Sequence, residues 1–75
     1  MNKFTEVLRV FTEYSEKLDN GKINWGDYVN LQHYLKNIIT GYKENNLSEN
    51  ERNSLLEIYY SLGHKTIEFL NKRYK

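Results

Sequence analysis

The sequence predicts an all-α protein, an antiparallel three-helix bundle running up, down and up, and three observations carry that prediction. Apolar residues recur at helical spacing in three separate segments. Proline is absent from all 75 residues, so nothing enforces a break inside those segments. The connections are short and rich in Asn, Gly and Ser, which makes successive helices antiparallel neighbours. The helices are predicted over residues 3–19, 25–44 and 49–74 of one domain spanning 1–75.

In the first segment Phe4, Val7, Leu8, Phe11, Tyr14 and Leu18 follow the i, i+3, i+4, i+7 pattern and share one face. Asp19-Asn20-Gly21 ends it, with Gly21 suited to the left-handed position just past a helix. The second segment opens at Asn24, an N-cap, with Asp27 three residues on. Ile23 and Tyr28 have the spacing of a hydrophobic staple across that start. Tyr28, Leu31, Leu35, Ile38 and Tyr42 then form a seam, widened by Ile39 and weakened at Gly41. The third opens on Ser48-Glu49-Asn50-Glu51, an S-x-x-E capping box. Leu55, Leu56, Ile58, Tyr59, Tyr60, Leu62, Ile67, Phe69, Leu70 and Tyr74 follow.

The third helix carries more apolar circumference than two shorter neighbours can cover. Its apolar residues span roughly 200° at about 100° per residue. The edge formed by Leu55, Tyr59, Leu62 and Phe69 suffices to pack on two helices. The other edge, Leu56, Tyr60, Gly63, Ile67, Leu70 and Tyr74, is expected to remain partly uncovered and to serve as a dimer or partner interface. Trp25, at the first turn of the second helix, reads as a plug for the bundle end or as an anchor for the same partner.

Composition narrows the function classes. A chain this short buries only about 60% of its unfolded surface, and with no Cys it has no disulfide to compensate. Tidy helix packing or association with another chain is the remaining source of stability. Aromatic residues make up 15% of the chain, which argues against disorder. A net charge of +1 argues against a protein built to coat nucleic acid or an anionic membrane. No apolar run approaches the ~20 residues of a membrane span, and no signal-peptide core precedes the first helix, so a cytoplasmic location is expected. The abundance of Asn, Lys, Ile and Tyr and the absence of Ala suggest an AT-rich genome, bacterial or phage.

No constellation for catalysis, metal or cofactor emerges. His64 has Glu57 and Glu68 on its face, but a solvated surface explains that grouping better than a metal site, and His33 also falls on a polar face. Ser48 is a cap, Ser15 lies on a seam and Ser61 on a polar face. Asn20-Gly21 and Trp25-Gly26 are isolated turn or cap glycines rather than a phosphate loop. Lys72, Arg73 and Lys75, with Tyr74 among them, could touch nucleic acid, although helix-end charge complementation accounts for them. The expectation is therefore a non-enzymatic, cofactor-free regulator of the inhibitor, antirepressor or immunity type that binds another protein as a homodimer. A nucleic-acid-associated accessory protein is the alternative.

Overall fold

The computed structural model describes residues 3–73. It consists of three helices, α1 (Lys3–Asp19), α2 (Trp25–Thr40) and α3 (Glu49–Arg73), and the described residues contain no strand. The all-α expectation holds. None of these helices is long and apolar enough to cross a membrane. Tyr74 and Lys75, named above for the interface and for nucleic acid, lie outside the described residues.

Local chemistry sets the helix ends. Gly21 adopts φ +70°. Its N–H donates to the Leu18 carbonyl at 3.1 Å, and that of Lys22 donates to Lys17 at 2.9 Å. These two bonds are the Schellman closure, which satisfies carbonyls that the end of a helix leaves open. α2 begins with a reciprocal capping box. The Asp27 N–H donates to Asn24 Oδ1 at 2.9 Å and the Asn24 N–H to Asp27 Oδ2 at 3.1 Å. Ser48 and Glu51 repeat the arrangement at the start of α3, at 3.1 and 3.0 Å.

α2 stops at Thr40, four residues short of the predicted end at residue 44. Gly41 caps it with φ −105° and ψ 37°, and turns run on through 41–46. The first of these turns still has a helical bond, from the Asn45 N–H to the Gly41 carbonyl at 3.0 Å. The apolar periodicity thus continues through Tyr42 while the regular helix does not. Gly41, with no side chain to stiffen it, is where the two part. A second Schellman pattern closes the segment. Asn46 takes φ 61°, its N–H reaches Lys43, and that of Leu47 reaches Tyr42 at 2.9 Å. Leu47 is thereby turned into the core.

The core draws on every element. Val7, Phe11, Tyr14 and Leu18 come from α1, Leu31, Leu35 and Ile38 from α2, Leu55, Leu62 and Leu70 from α3, and Ile23 and Leu47 from the two linkers. Fully burying each large aliphatic side chain is worth about 1.5–3 kcal/mol. α3 is the element on which both other helices pack. Leu70 corrects an expectation: placed on the uncovered edge by projection, it is fully buried. Gly63 from the same edge is buried too, with the Tyr28 hydroxyl 3.1 Å from where a Cβ would stand. Among the described residues, Thr66 is the one polar residue buried with the core.

The last turn of α3 is tied to the first linker. The Arg73 guanidinium donates to the carbonyls of Gly21 and Ile23 at 3.3 and 3.4 Å and lies over the Phe69 ring. At the other end of α3, Arg52 stacks over Tyr42 with 4.7 Å between guanidinium and ring centre.

Candidate functional site

Among the described residues, the apolar surface that remains outside belongs to α2 and α3. Its exposed large hydrophobics are Tyr60 (61% exposed), Trp25 (45%), Val29 (43%) and Ile67 (40%). Tyr60 and Ile67 are seven residues apart on α3, and Trp25 and Val29 four apart on α2, so each pair shares a helix face.

Two depressions make up the groove between α2 and α3. One, near the start of α2, is lined by Tyr28, Tyr59, Tyr60, Gly63, His64 and Ile67. Tyr28 can reach across to α3 because Gly63 has no side chain there. Trp25 and Tyr59 extend the aromatic surface: the Trp25 and Tyr28 rings are 6.4 Å apart and tilted, and those of Tyr59 and Tyr60 are 5.7 Å apart. The other depression encloses about 430 Å³ and has Leu35 and Ile39 from α2, Leu56 and Tyr59 from α3, and Gln32, His33 and Lys36 on its rim. Tyr59 belongs to both, so the groove is continuous.

A further depression, between α1 and α2, is more polar. Glu13, Lys17, Asp27 and Asn30 line it beside Val10, Tyr14, Leu31 and Tyr34. Burial raises the Tyr34 phenol above its ordinary pKa, the nearby Glu6 carboxylate adds to that, and Arg9 opposes it. Burial also raises Tyr28 in the apolar groove, helped by the adjacent Tyr59 hydroxyl.

Comparison with protein-family models, curated proteins and solved structures finds no match. The site is therefore read from its own geometry.

Of the residues expected at the interface, Tyr60, Ile67 and Trp25 are exposed together on this face, and Leu56 is half-buried at its floor. Leu70 is in the core. Trp25 is covered over about half of its surface, with its ring 6.4 Å from that of Tyr28. The sequence did not single out Val29, and it put His33 and His64 on polar faces without bringing them to the groove, whose lining includes both. Val29 and His33 follow Trp25 at +4 and +8, which was the available signal for those two. Among the basic residues named for nucleic acid, Arg73 holds the first linker, and Lys72 lies exposed, 3.8 Å from Glu68. No group of three or more His, Asp or Glu side chains among the described residues is arranged to hold a metal ion. An aromatic groove of this kind can exclude water and accept an apolar side chain or helix.

Proposed function

We propose that the protein is a non-enzymatic, protein-binding regulator that acts by occluding a surface of the protein it binds, through the α2–α3 groove. The observation that carries this reading is the pair Tyr60 and Ile67, each at least 40% exposed, in the lining of the α2–α3 groove, with Trp25 and Val29 equally open on α2. Exposed aromatic residues of this kind bury large area at low conformational cost, and they are enriched in binding hot spots. The reading takes the chain as an up-down-up bundle. The pairings of Tyr14 with Thr66 and of Tyr28 with Gly63 support that course.

Glutamate at either of two exposed positions provides the test. Tyr60→Glu and Ile67→Glu place a charge in the groove without touching the core, so circular dichroism and urea midpoints should stay near those of the wild type. Association with protein, whether with a partner isolated from the source organism or with the chain itself, should be lost. The reading is overturned if both variants associate as the wild type does, or if the wild type associates with no protein at all.

A further inference from the structure

We infer that the partner taken by the α2–α3 groove is an acidic amphipathic helix, an apolar stripe flanked by carboxylates. This inference rests on the reading of the groove as a protein-binding surface and names the chemistry of what it binds.

The groove presents side chains and no open backbone. Its two lips are the helices α2 and α3, whose amide and carbonyl groups are bonded along each helix. An extended segment laid there would find no partners for its own N–H and C=O groups. A helix satisfies those groups internally and needs from the groove only side-chain contact, the mode of helix-in-groove recognition. The length agrees. Tyr28 lines one depression and Thr40 the other, and the rise along α2 between them is about 18 Å, a little over three helical turns.

The charges in the lining have one sign. Lys36 is the one side chain there with a permanent charge, His33 and His64 can add only positive charge, and no carboxylate is among the lining residues. Just past Thr40, the Lys43 ammonium and the Arg52 guanidinium lie 6.0 and 4.7 Å from the centre of the Tyr42 ring.

The carboxylates of α2 and α3 point elsewhere or are already engaged. Asp27 is closed into the Asn24 cap and faces the α1–α2 depression. Glu57 and Glu68 stand about 60° and 80° round α3 from Tyr60, on the side away from α2, at 100° per residue. Glu68 is 3.8 Å from Lys72, and Lys65 and Lys72 lie farther round that same side, outside the groove. In the second linker, a Glu44 carboxylate oxygen folds back to 3.7 Å from where a Gly41 Cβ would stand. Glu51 accepts from the Ser48 N–H, and Glu49 is about two turns before Leu56, the first residue of α3 in the lining. The acids of α1 belong to a helix that takes no part in the lining. A basic occupant would therefore set its flanking charges against Lys36 with nothing to offset them, whereas carboxylates on the occupant pair with it.

Two synthetic helical peptides test the inference. Both are free of Trp and carry Leu at i, i+3, i+4 and i+7; one has Glu at the flanking positions and the other Lys. Trp25, the one tryptophan of the chain, stands beside Tyr28 and reports binding through its emission. At low salt the Glu peptide should bind about tenfold more tightly than the Lys peptide, and added salt should narrow the gap because the charges are exposed. Lys36→Glu should bring the two peptides to within about twofold of each other, and Tyr60→Glu should weaken both by at least about tenfold. Equal binding of the two peptides by the wild type, a preference for the Lys peptide, a Glu preference that Lys36→Glu leaves intact, or binding of neither peptide overturns the inference. A wild-type dimer that Tyr60→Glu breaks would make a second copy the occupant, which overturns the acidic helix and leaves the protein-binding reading in place. A chain that binds neither peptide and associates with no protein removes both.

Discussion

The Tyr14 hydroxyl and the Thr66 hydroxyl lie 2.7 Å apart inside the core, joining α1 to α3 across 52 residues of sequence. Thr66 Oγ1 is also 2.7 Å from the Leu62 carbonyl, the i−4 acceptor on its own helix. Thr66 has one proton and gives it to Leu62, so Tyr14 is the donor between the two side chains. The chain of bonds runs from Tyr14 to Thr66 to Leu62 and leaves no hydroxyl of the pair without a partner.

Thr66→Val should therefore cost more than Tyr14→Phe, although both remove the same bond. The phenylalanine variant removes a donor and leaves Thr66 bonded to Leu62, at about 1 kcal/mol. The valine variant strands a buried phenol O–H, at about 1–3 kcal/mol. The double variant should be less damaged than the sum of the singles by at least about 0.5 kcal/mol. Urea denaturation of the four proteins measures this, and strict additivity would show that the two hydroxyls are not coupled.

Stability should fall in alkali. Desolvation by burial raises the pKa of Tyr14, Tyr28 and Tyr34. A phenol raised in the native state holds its proton there more tightly than in the unfolded chain. The stabilisation is complete below the unfolded value near pH 10 and is lost as pH climbs through the raised native value. Urea midpoints should be flat to about pH 9.5 and then decline. Tyr14→Phe should decline less steeply than the wild type. An equal decline in Tyr14→Phe would assign the alkaline loss to other groups.

The two left-handed residues should respond to alanine for backbone reasons alone. At Gly21 an added Cβ would meet nothing closer than the Phe69 ring at 3.8 Å, an ordinary contact, so the cost of Gly21→Ala is that of its φ of +70°, about 1–2 kcal/mol. Asn46→Ala should lose about 1 kcal/mol for the same reason, whereas Asn46→Gly should not lose stability. Thermal melts are sufficient, and an unchanged Gly21→Ala melt would mean that the first linker relaxes out of its Schellman closure.

Gly63 and Tyr28 should show an interaction of opposite sign. Alanine at a helix-interior glycine ordinarily gains about 1 kcal/mol. Here the added methyl would stand 3.1 Å from the Tyr28 hydroxyl, so that gain should be largely cancelled in the wild-type background. In a Tyr28→Phe background the obstructing oxygen is gone, and Gly63→Ala should recover most of the gain. Equal effects in both backgrounds would show that Tyr28 swings aside without penalty.

Helix number, both capping boxes, the Gly21 stop and most of the core were legible in the sequence, because each depends on interactions within a few residues. Ser48 with Glu51 needs no tertiary information, and neither does the periodicity of Val7, Phe11, Tyr14 and Leu18. The departures arose where tertiary contact decides. Leu70 lies about 30° from the centre of α3's buried face at 100° per residue, and a projection cannot say how far two neighbours wrap round a helix. Thr66 looks polar until Tyr14 is known to face it. Leu47 reads as linker until the left-handed Asn46 turns it inward. At the groove, Tyr60 and Ile67 were visible as surplus on α3. The second lip was missed because Val29, His33 and Lys36 form no excess on α2 alone and become a surface only when set beside α3.

Because α1 and α2 both lay their apolar faces on α3, the order of synthesis matters. While the ribosome has delivered only the first two helices, Val7, Phe11, Leu31 and Leu35 have no floor to settle on, and the Tyr14 hydroxyl awaits a threonine not yet made. The nascent chain can form turns and caps but no closed interior until its final third has emerged. A closed interior thus waits on α3, whichever of the other two helices forms first.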